Sequence, residues 1–403
     1  MGAIPELERG GFRAYVHQAL TTLERAGVEI ARWDLEGRPV GAQFEERYYR
    51  RGISHAMMTR GRRERWGRLL DESEKREVLE RLRRLADEAR DALLRPGGSG
   101  EEPEGLGKRL DRINEKRIRD LEDEGRLFLD VYRPVPILPP DRVLSFVVQI
   151  TEGCPWNRCS FCGLYPDRDF RAKGADELED HVRGALRLFG RSVLLRRSVF
   201  LGDGDPFVLP DGELLPLVDR IRAVFREEEA RGGPLPHPRE LYAFARMRSL
   251  AGRSAGALVP YRERGFRRLY IGVETGDRDL FRVLRKPGPL DALPQAVGAL
   301  KRAGIAAGLI FLVGVGGDRF REAHREESVR LVSSLPLGSD DIVYLSPFRL
   351  VEGSAYARWA ADEGIRPLSR SETAEEAIRI AGGFRARGTA AKAAYYPLDQ
   401  FVY

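Results

Sequence analysis

The chain has three cysteines in 403 residues and no fourth to complete a pair of pairs. All three fall within "GCPWNRCSFC", so a disulfide-stapled, secreted fold is excluded. No secretory leader is expected either: "MGAIPELERGGFRAYVHQAL" lacks a basic start, an apolar core and a small-residue cleavage site. No stretch of eighteen apolar residues occurs. The longest run, "AGIAAGLIFLVGVGG" at 303–317, is too short and too glycine-rich to span a bilayer, and reads as a buried strand with its exit loop. No membrane contact is expected, and a reducing, cytoplasmic setting is. Charge of one sign is also lacking: 68 basic residues against 62 acidic give a net +6, mostly interspersed. Nucleic-acid binders concentrate their basic groups in a patch. The nearest approach is "MTRGRRERWGR" (58–68), which reads as a solvated helix face or docking surface, with nucleic-acid contact as the alternative.

What is present divides into a helical N-terminal region (1–95), a linker with a lead-in helix (96–140), an α/β core (141–364) and an extension (365–403) that packs on the core. In "SEKREVLERLRRLADEARDALLR", Val78, Leu82, Leu85, Ala89 and Leu93 recur at helical spacing. Ser73 is the expected N-cap, without a capping box because Arg76 stands three residues on. "RPGGSGEEPEG" predicts a flexible joint at 96–107. "KRLDRINEKRIRDLEDEG" predicts one further helix, and "YRPVPILPPDR" an extended approach to the core.

From residue 143, short apolar runs recur: "VLSFVVQI", "SVFLG", "LYAFAR", "RLYIGVE", "GLIFLVGV" and "DIVYLSPF". Charge-rich helical stretches separate most of them. This strand–helix alternation predicts a parallel α/β sheet, curved like a partial (β/α)6 barrel of TIM type, with its site over the C-terminal strand ends. The pattern alone leaves a doubly wound open sheet possible. In the extension, Thr373 with Glu376 predicts a capping box, with Ser371 as the other cap. The aromatic end "YYPLDQFVY" is expected to pack back on the body.

Cys154, Cys159 and Cys162 follow the first strand with gaps of four and two residues. Structural zinc wants four ligands, and neither a fourth cysteine nor a convincing histidine is at hand. His181, the nearest, sits on an ordinary helix face. Three thiolates suit a [4Fe–4S] cluster whose fourth iron takes a non-protein ligand. Here the sequence resembles the radical S-adenosylmethionine (SAM) superfamily over residues 140–360. "GCPWNRCSFCGLY" followed by "RDFRAK" is similar to branches with the longer first gap, and Phe161 before the last cysteine fits the family's habit.

The resemblance implies a [4Fe–4S] cluster on the three cysteines. The amino and carboxylate groups of SAM would sit on the open iron, and a low-potential donor such as flavodoxin or ferredoxin would supply the electron. Cluster and SAM carry the hard chemistry, and the protein supplies binding and orientation. "FLGDGDPFVLP" stands where the family has a Gly-Gly-Glu-Pro-like turn, which places Asp203 and Gly204 on the glycines, Asp205 on the acid and Pro206 on the proline. The first glycine is thus replaced and the acid shortened. "LYIGVETG" offers Glu274, beside Thr275, to the ribose or methionine end of SAM. In "GLIFLVGVGG", Gly308 and Ile310 would line the adenine pocket, while Gly314, Gly316 and Gly317 shape the loop. Glu352, Gly353 and Ser354 are placed at the rim. Arg171 and Lys173 either offset the cluster's charge or face solvent. Arg285 and Lys286 suit a helix C-terminus and are given no catalytic role; the catalytic residues are left unassigned.

Ligands for auxiliary clusters, a "DxHxxG" cobalamin motif and an acetyltransferase-like addition are absent. The N-terminal region is expected to cover the barrel mouth or recruit a partner. The expected function is reductive cleavage of SAM with hydrogen abstraction from a small-molecule substrate. RNA modification is the alternative within the family. An iron–sulfur electron carrier or redox sensor, and a zinc-stabilised scaffold, are the readings outside it.

Overall fold

The computed structural model describes residues 4–25, 27–64, 67–96, 102–397 and 401–403. From Glu6 to Leu69 the chain is an antiparallel meander of eight strands, not a helical region. The strands are β1 (Glu6–Arg9), β2 (Phe12–Val16), β3 (Leu20–Arg25), β4 (Glu29–Asp34), β5 (Pro39–Phe44), β6 (Arg47–Arg51), β7 (Met57–Gly61) and β8 (Arg68–Leu69), each paired with the next. Arginines and glutamates on the solvent face give these strands the charge density of an exposed helix. The period-two signal lies underneath: Phe12 and Ala14 of β2, and Ala31 and Trp33 of β4, turn inward, and Arg32 outward. Gly10 and Gly11, both at positive φ, form the first turn. The basic run 58–68 therefore starts on β7, turns at Arg62 and Arg63 and ends at the start of β8 rather than lying on a helix, with Arg65 and Trp66 outside the described residues.

The one long helix expected here is present as α1 (Glu72–Leu93). Asp71, two residues before Ser73, is its N-cap and forms a full capping box with Glu74. Leu82, Leu85, Ala89 and Leu93 of α1 pack on the inner sheet face, joined by Leu106, Leu110 and Ile113 of α2 (Leu106–Glu115). The joint expected at 96–107 falls partly at 97–101, outside the described residues; α2 already begins within it. The single expected lead-in helix is two, α2 and α3 (Ile118–Val131), because Lys116 and Arg117 are extended.

The core is a seven-stranded parallel sheet. Its chain order is β9 (Phe146–Gln149), the short hairpin β10 (Thr151–Glu152) and β11 (Arg171–Ala172), α4 (Ala175–Phe189), β12 (Val199–Gly202), α5 (Asp211–Ala230) and β13 (Leu241–Phe244). It continues through α6 (Met247–Ala251), α7 (Ala255–Glu263), β14 (Phe266–Glu274), α8 (Arg278–Val283), α9 (Ala292–Arg302), β15 (Ala306–Val313) and α10 (Gly317–Ser333). β16 (Ile342–Pro347), α11 (Ala355–Asp362), α12 (Arg370–Ala386) and β17 (Lys392–Tyr395) complete it. The strand order across the sheet is 17-16-15-14-13-12-9. Six strands match the apolar runs of the sequence. β17, "KAAY", is too short and alanine-rich to announce itself.

The sheet curls into a partial barrel. Tyr396, just past edge strand β17, donates its hydroxyl to the Leu138 carbonyl ahead of the opposite edge strand β9, at 2.8 Å. The base is closed by Asp141, which accepts from the hydroxyls of Tyr270 and Tyr344 and from Arg268. The free edge of β9 is capped by side chains. The Tyr132 hydroxyl donates to the Val147 carbonyl, the Val147 N–H to the Tyr403 hydroxyl, and the Gln149 N–H to His181 Nε2. Such capping keeps an edge from pairing with another chain. The terminal aromatics thus pack on the core, and His181 is a structural residue. Its Nδ1 bonds the Val131 carbonyl at 2.9 Å, and burial pushes its pKa down to about 4, so the ring is neutral.

In α12 the N-cap is Ser369 with Glu372 as its capping-box partner, four residues before the expected pair. The same Ser/Thr-x-x-Glu spacing occurs twice, and the helix starts at the earlier one. Thr373 and Glu376 lie inside it, where Glu376 is buried and takes Arg321 and Arg325.

The N-terminal sheet docks at the barrel base, not over its mouth. Arg38 donates to the Leu188 and Phe189 carbonyls at the C-terminus of α4, and the Ser54 N–H to the Tyr403 carbonyl. In a βα unit the helix runs back toward the strand N-termini, so these contacts mark the end of the barrel away from the cysteines.

Candidate functional site

The cysteine loop leaves the C-terminal end of the first barrel strand and returns through β11. The β10–β11 hairpin closes it: Thr151 pairs with Ala172 and Glu152 with Arg171. Arg171 faces solvent while bonded to carboxylates, and Lys173 is buried. Arg171 bridges Glu152 and Glu177, and buried Lys173 also bonds Glu152. They lock the neck of the loop.

Farther out the loop is held by α8 and α11. Ser160 donates its N–H to the Leu284 carbonyl at 3.1 Å and its hydroxyl to the Val283 carbonyl at 2.7 Å. Trp156 Nε1 donates to the Arg285 carbonyl at 2.8 Å, and the Tyr356 N–H to the Ser160 carbonyl at 2.9 Å. Orphan carbonyls at a helix C-terminus are natural acceptors for such a loop. Phe161 packs against Phe348 with ring centroids 6.5 Å apart.

All three thiols are free. Burial pushes the Cys159 thiol up to about 12; the charge of Lys286 works against this, and those of Cys162 and Cys154 with it. The three sulfurs therefore share one electrostatic neighbourhood. Among the described residues no three His, Cys, Asp or Glu side chains close on a single-ion centre. A cubane places each thiolate on a different iron and asks for no such convergence. Three cysteines on a loop held at its neck and flanks fit a [4Fe–4S] cluster.

The turn after β12 presses on this loop. Asp203 is buried, and accepts from Gln149 Nε2 at 2.8 Å, the Gly153 N–H at 3.1 Å and Arg168 at 3.3 Å. Burial raises its pKa to about 6, against the pull of those donors. The Gly204 N–H donates to the Gly153 carbonyl, and a Cβ at Gly204 would stand 2.9 Å from that oxygen and 3.2 Å from Cys154 Cα. The close approach this glycine permits is to the cysteine loop itself. Asp205, fully buried, accepts at Oδ2 from Arg246 Nε (2.7 Å) and Ser249 Oγ (2.6 Å), and at Oδ1 from the Phe207 N–H (3.0 Å). Its carboxylate is engaged mainly by protein donors that the sequence did not single out. Pro206 opens a short 3-10 turn.

Glu274 ends β14 at φ +70°, a conformation uncommon outside glycine, where the pairing with β15 slips between Gly272 and Glu274. Its Oε1 accepts from Lys286 Nζ at 2.8 Å, with both side chains about one-tenth exposed (10% and 11%). Gly272 makes room for this pair, since a Cβ there would lie 2.4 Å from Glu274 Oε1 and 3.1 Å from Lys286 Nζ. Burial alone would lower the Lys286 pKa; the charges of Glu274 and Cys159 outweigh it and raise it. Lys286, read from sequence as a helix-terminal base, is thus a neighbour of the thiols.

Gly308 serves a different purpose from the one expected. Its open side is filled by the Tyr270 ring, whose Cδ1 lies 2.4 Å from where a Cβ would be, so no surface is left there for an adenine. Gly308→Ala is expected to cost about 1–3 kcal/mol by overpacking, because the Tyr270 hydroxyl is tied to Asp141 and the ring cannot retreat. Urea denaturation measures this, and an unchanged midpoint would place the ring elsewhere.

Ile310 is buried and pairs with Gly272 on one side and Tyr344 on the other. Ser346, two residues after Tyr344, shares its inward face one layer nearer the mouth. Among the described residues its buried hydroxyl has no partner, an orphan that suits a polar ligand group. Nothing in the sequence marked this serine. Gly316 gives its N–H to the Tyr356 hydroxyl, and Ser354 caps α11, so both shape the rim. Glu352 and Gly353 are exposed there.

Behind Glu274, Thr275 Oγ1 bonds His324 Nδ1 at 2.8 Å, while among the described residues the buried His324 Nε2 has no partner. Burial lowers the His324 pKa to about 4 from its ordinary 6.5. Because the folded value is the lower one, the unfolded chain takes up the proton first as pH falls. The stability this site contributes is full above pH 6.5 and is lost progressively toward pH 4, about 3 kcal/mol in all. His324→Gln is expected to flatten the pH dependence of unfolding across that window by up to one proton; an unchanged slope would contradict it.

A parallel partial barrel thus holds its chain's three thiols in the first loop at the carboxyl mouth, beside a buried carboxylate–ammonium pair. Residues 148–332 match the family model of the Radical SAM superfamily. Enzymes of this superfamily use a [4Fe–4S] cluster and SAM. The chain is also 26% identical over 300 residues to an uncharacterized protein of Methanopyrus kandleri, covering 69% of this chain and 54% of the relative, so it spans about half that protein's length. Among solved structures it resembles methylornithine synthase (PylB), with 19% identity, coverage of 81% and 79% and a TM-score of 0.42. It also resembles coproporphyrinogen III oxidase (HemN) from Escherichia coli, with 16%, coverage of 68% and 57% and 0.44. Likenesses at these scores bear on neither substrate nor reaction. Among the described residues no helix is long and apolar enough to cross a membrane.

Proposed function

We propose that this chain cleaves SAM reductively on a [4Fe–4S] cluster held by Cys154, Cys159 and Cys162, and uses the outcome to abstract hydrogen from a small-molecule substrate. The observation that carries the reading is the placement of the three cysteines on a loop locked at its neck by Glu152, Arg171 and Lys173. When bound, the cluster would supply one low-potential electron, drawn from an external donor such as flavodoxin or ferredoxin. The Lys286 ammonium offsets thiolate charge. Glu274, fixed in orientation by Lys286 and by the slip in β14, presents its second oxygen for a polar group of SAM. Asp203 and Gly204 hold the second turn against the loop, and Asp205, buried on Arg246, Ser249 and the Phe207 N–H, braces that turn and adds negative charge behind it for the ammonium group of SAM. Ile310 and the unpartnered Ser346 hydroxyl offer an apolar and a polar contact within the barrel. The enclosed, tyrosine-rich base keeps bulk water from entering at the far end. A cytoplasmic, reducing setting belongs to the same proposal.

Anaerobic reconstitution with iron and sulfide, followed by dithionite and SAM, tests it. The expected result is a brown protein whose spectrum changes on addition of SAM and which releases 5′-deoxyadenosine. A colourless zinc protein, or a cluster indifferent to SAM, would reject it in favour of a scaffold or an electron carrier.

A further inference from the structure

At the end of the barrel away from the thiols, the N-terminal sheet and the barrel base enclose a cavity of about 910 Å3. Among the described residues five arginines line it, Arg32, Arg50, Arg51, Arg196 and Arg197, and no aspartate or glutamate does. Elsewhere this chain matches its arginines closely, as with Arg171, Arg183, Arg246 and Arg321, each on a carboxylate. Among the described residues Arg32, Arg50, Arg196 and Arg197 have no such partner. Among the described residues the Arg50 side chain donates only to the Val143 carbonyl, at 3.4 Å. Arg196 lies over the Phe189 and Tyr403 rings at 4.4 and 5.3 Å, with its Nε buried and unpartnered.

These groups also oppose one another. Burial, and then the like charge of Arg196, push the Arg50 pKa down to about 10; burial does the same to Arg51. Guanidinium groups remain charged at neutral pH, so their crowding is a standing cost that a bound anion would relieve. Arginine forks fit phosphate oxygens two at a time, and the volume falls in the range of roughly 300–1,000 Å3 typical of small-ligand sites. Leu144, Leu194 and Val402 add an apolar wall.

We propose that this cavity binds a phosphorylated small molecule of nucleotide size, with Arg50 and Arg196 on its phosphate groups and the apolar wall receiving its organic part. The site is separate from the radical centre, so its occupancy can be read while SAM fills the mouth.

The test is calorimetric titration of the anaerobically reconstituted full chain, saturated with SAM, with GTP and with inorganic pyrophosphate at physiological ionic strength. Saturable one-to-one binding is expected for both. Arg50→Met and Arg196→Met should each weaken it by about tenfold or more, while Arg222→Met, on another face, changes nothing, and SAM cleavage persists in all three. Absence of saturable binding, or variants that bind like the parent, would overturn the proposal. So would an oligoribonucleotide that binds the chain at these arginines and that neither phosphate compound displaces. Should a variant fail to fold, protection of Arg50 and Arg196 from phenylglyoxal by GTP decides instead, and lack of protection overturns the site.

Discussion

Cys159→Ala, reconstituted anaerobically, is expected to bind substoichiometric iron and to release no 5′-deoxyadenosine above the protein-free background. Cys154→Ala and Cys162→Ala should behave alike. A cubane offers three irons to the protein, and each cysteine has one of them to itself, so no remaining thiol can deputise. No other thiol exists in the chain. The loss should be chemical rather than structural. The loop is held by Ser160, Trp156, Asn157 and Glu152 through bonds that do not involve sulfur as a ligand. Far-ultraviolet circular dichroism and the unfolding midpoint should therefore stay near those of the apo parent. Retention of full iron and SAM cleavage by any one of the three variants would remove that cysteine from the ligand set.

The second large effect is expected at Lys286. Its ammonium and the Glu274 carboxylate form a pair that is nearly excluded from water. Lys286→Met would strand the carboxylate beside the thiols, and breaking a buried pair by deleting one partner costs about 3–5 kcal/mol. Lys286→Met combined with Glu274→Gln removes both charges and should recover most of that loss, since exchange of a whole buried pair for neutral groups is often close to neutral. Urea denaturation of the two single variants and the double variant gives the coupling. Alongside stability, Lys286→Met should take up less iron, because the thiols lose the nearby positive charge that favours their ionised form. Single and double variants equally damaged, with iron uptake unchanged, would show the pair to be incidental.

The core of this fold can be read from its sequence because six of its strands are buried on both faces and therefore appear as unbroken apolar runs. β17 stands at the edge and needs only four residues, two of them alanine, and it gives no such sign. The N-terminal sheet was harder for a different reason: one face is wet, its strands are short, and arginine alternates with small apolar residues as readily as it decorates a helix. Its glycine turns, at Gly10–Gly11 and Gly37, were the visible clue. In the site, the thiols are legible because cysteine is rare and their spacing local. Asp203, Asp205 and Glu274 are legible as positions but not as partners. Gln149, Arg168, Arg246, Ser249 and Lys286 meet them only after the chain has folded, across separations a linear pattern does not encode. Gly308 shows the limit most clearly: a glycine facing a barrel interior can serve a ligand or a neighbouring ring, and only the packed structure identifies Tyr270.

The hairpin that shuts the neck of the cysteine loop bears on how such an enzyme matures. Small zinc modules gain their shape from the metal and collapse when it is chelated. Here the frame that would receive the inorganic core is fastened by Glu152, Arg171 and Lys173, through bonds that draw on no metal. Biogenesis can then proceed in two separate acts, polypeptide first and mineral later, and oxidative destruction of the mineral would leave a receptacle fit to be refilled rather than a chain to be discarded.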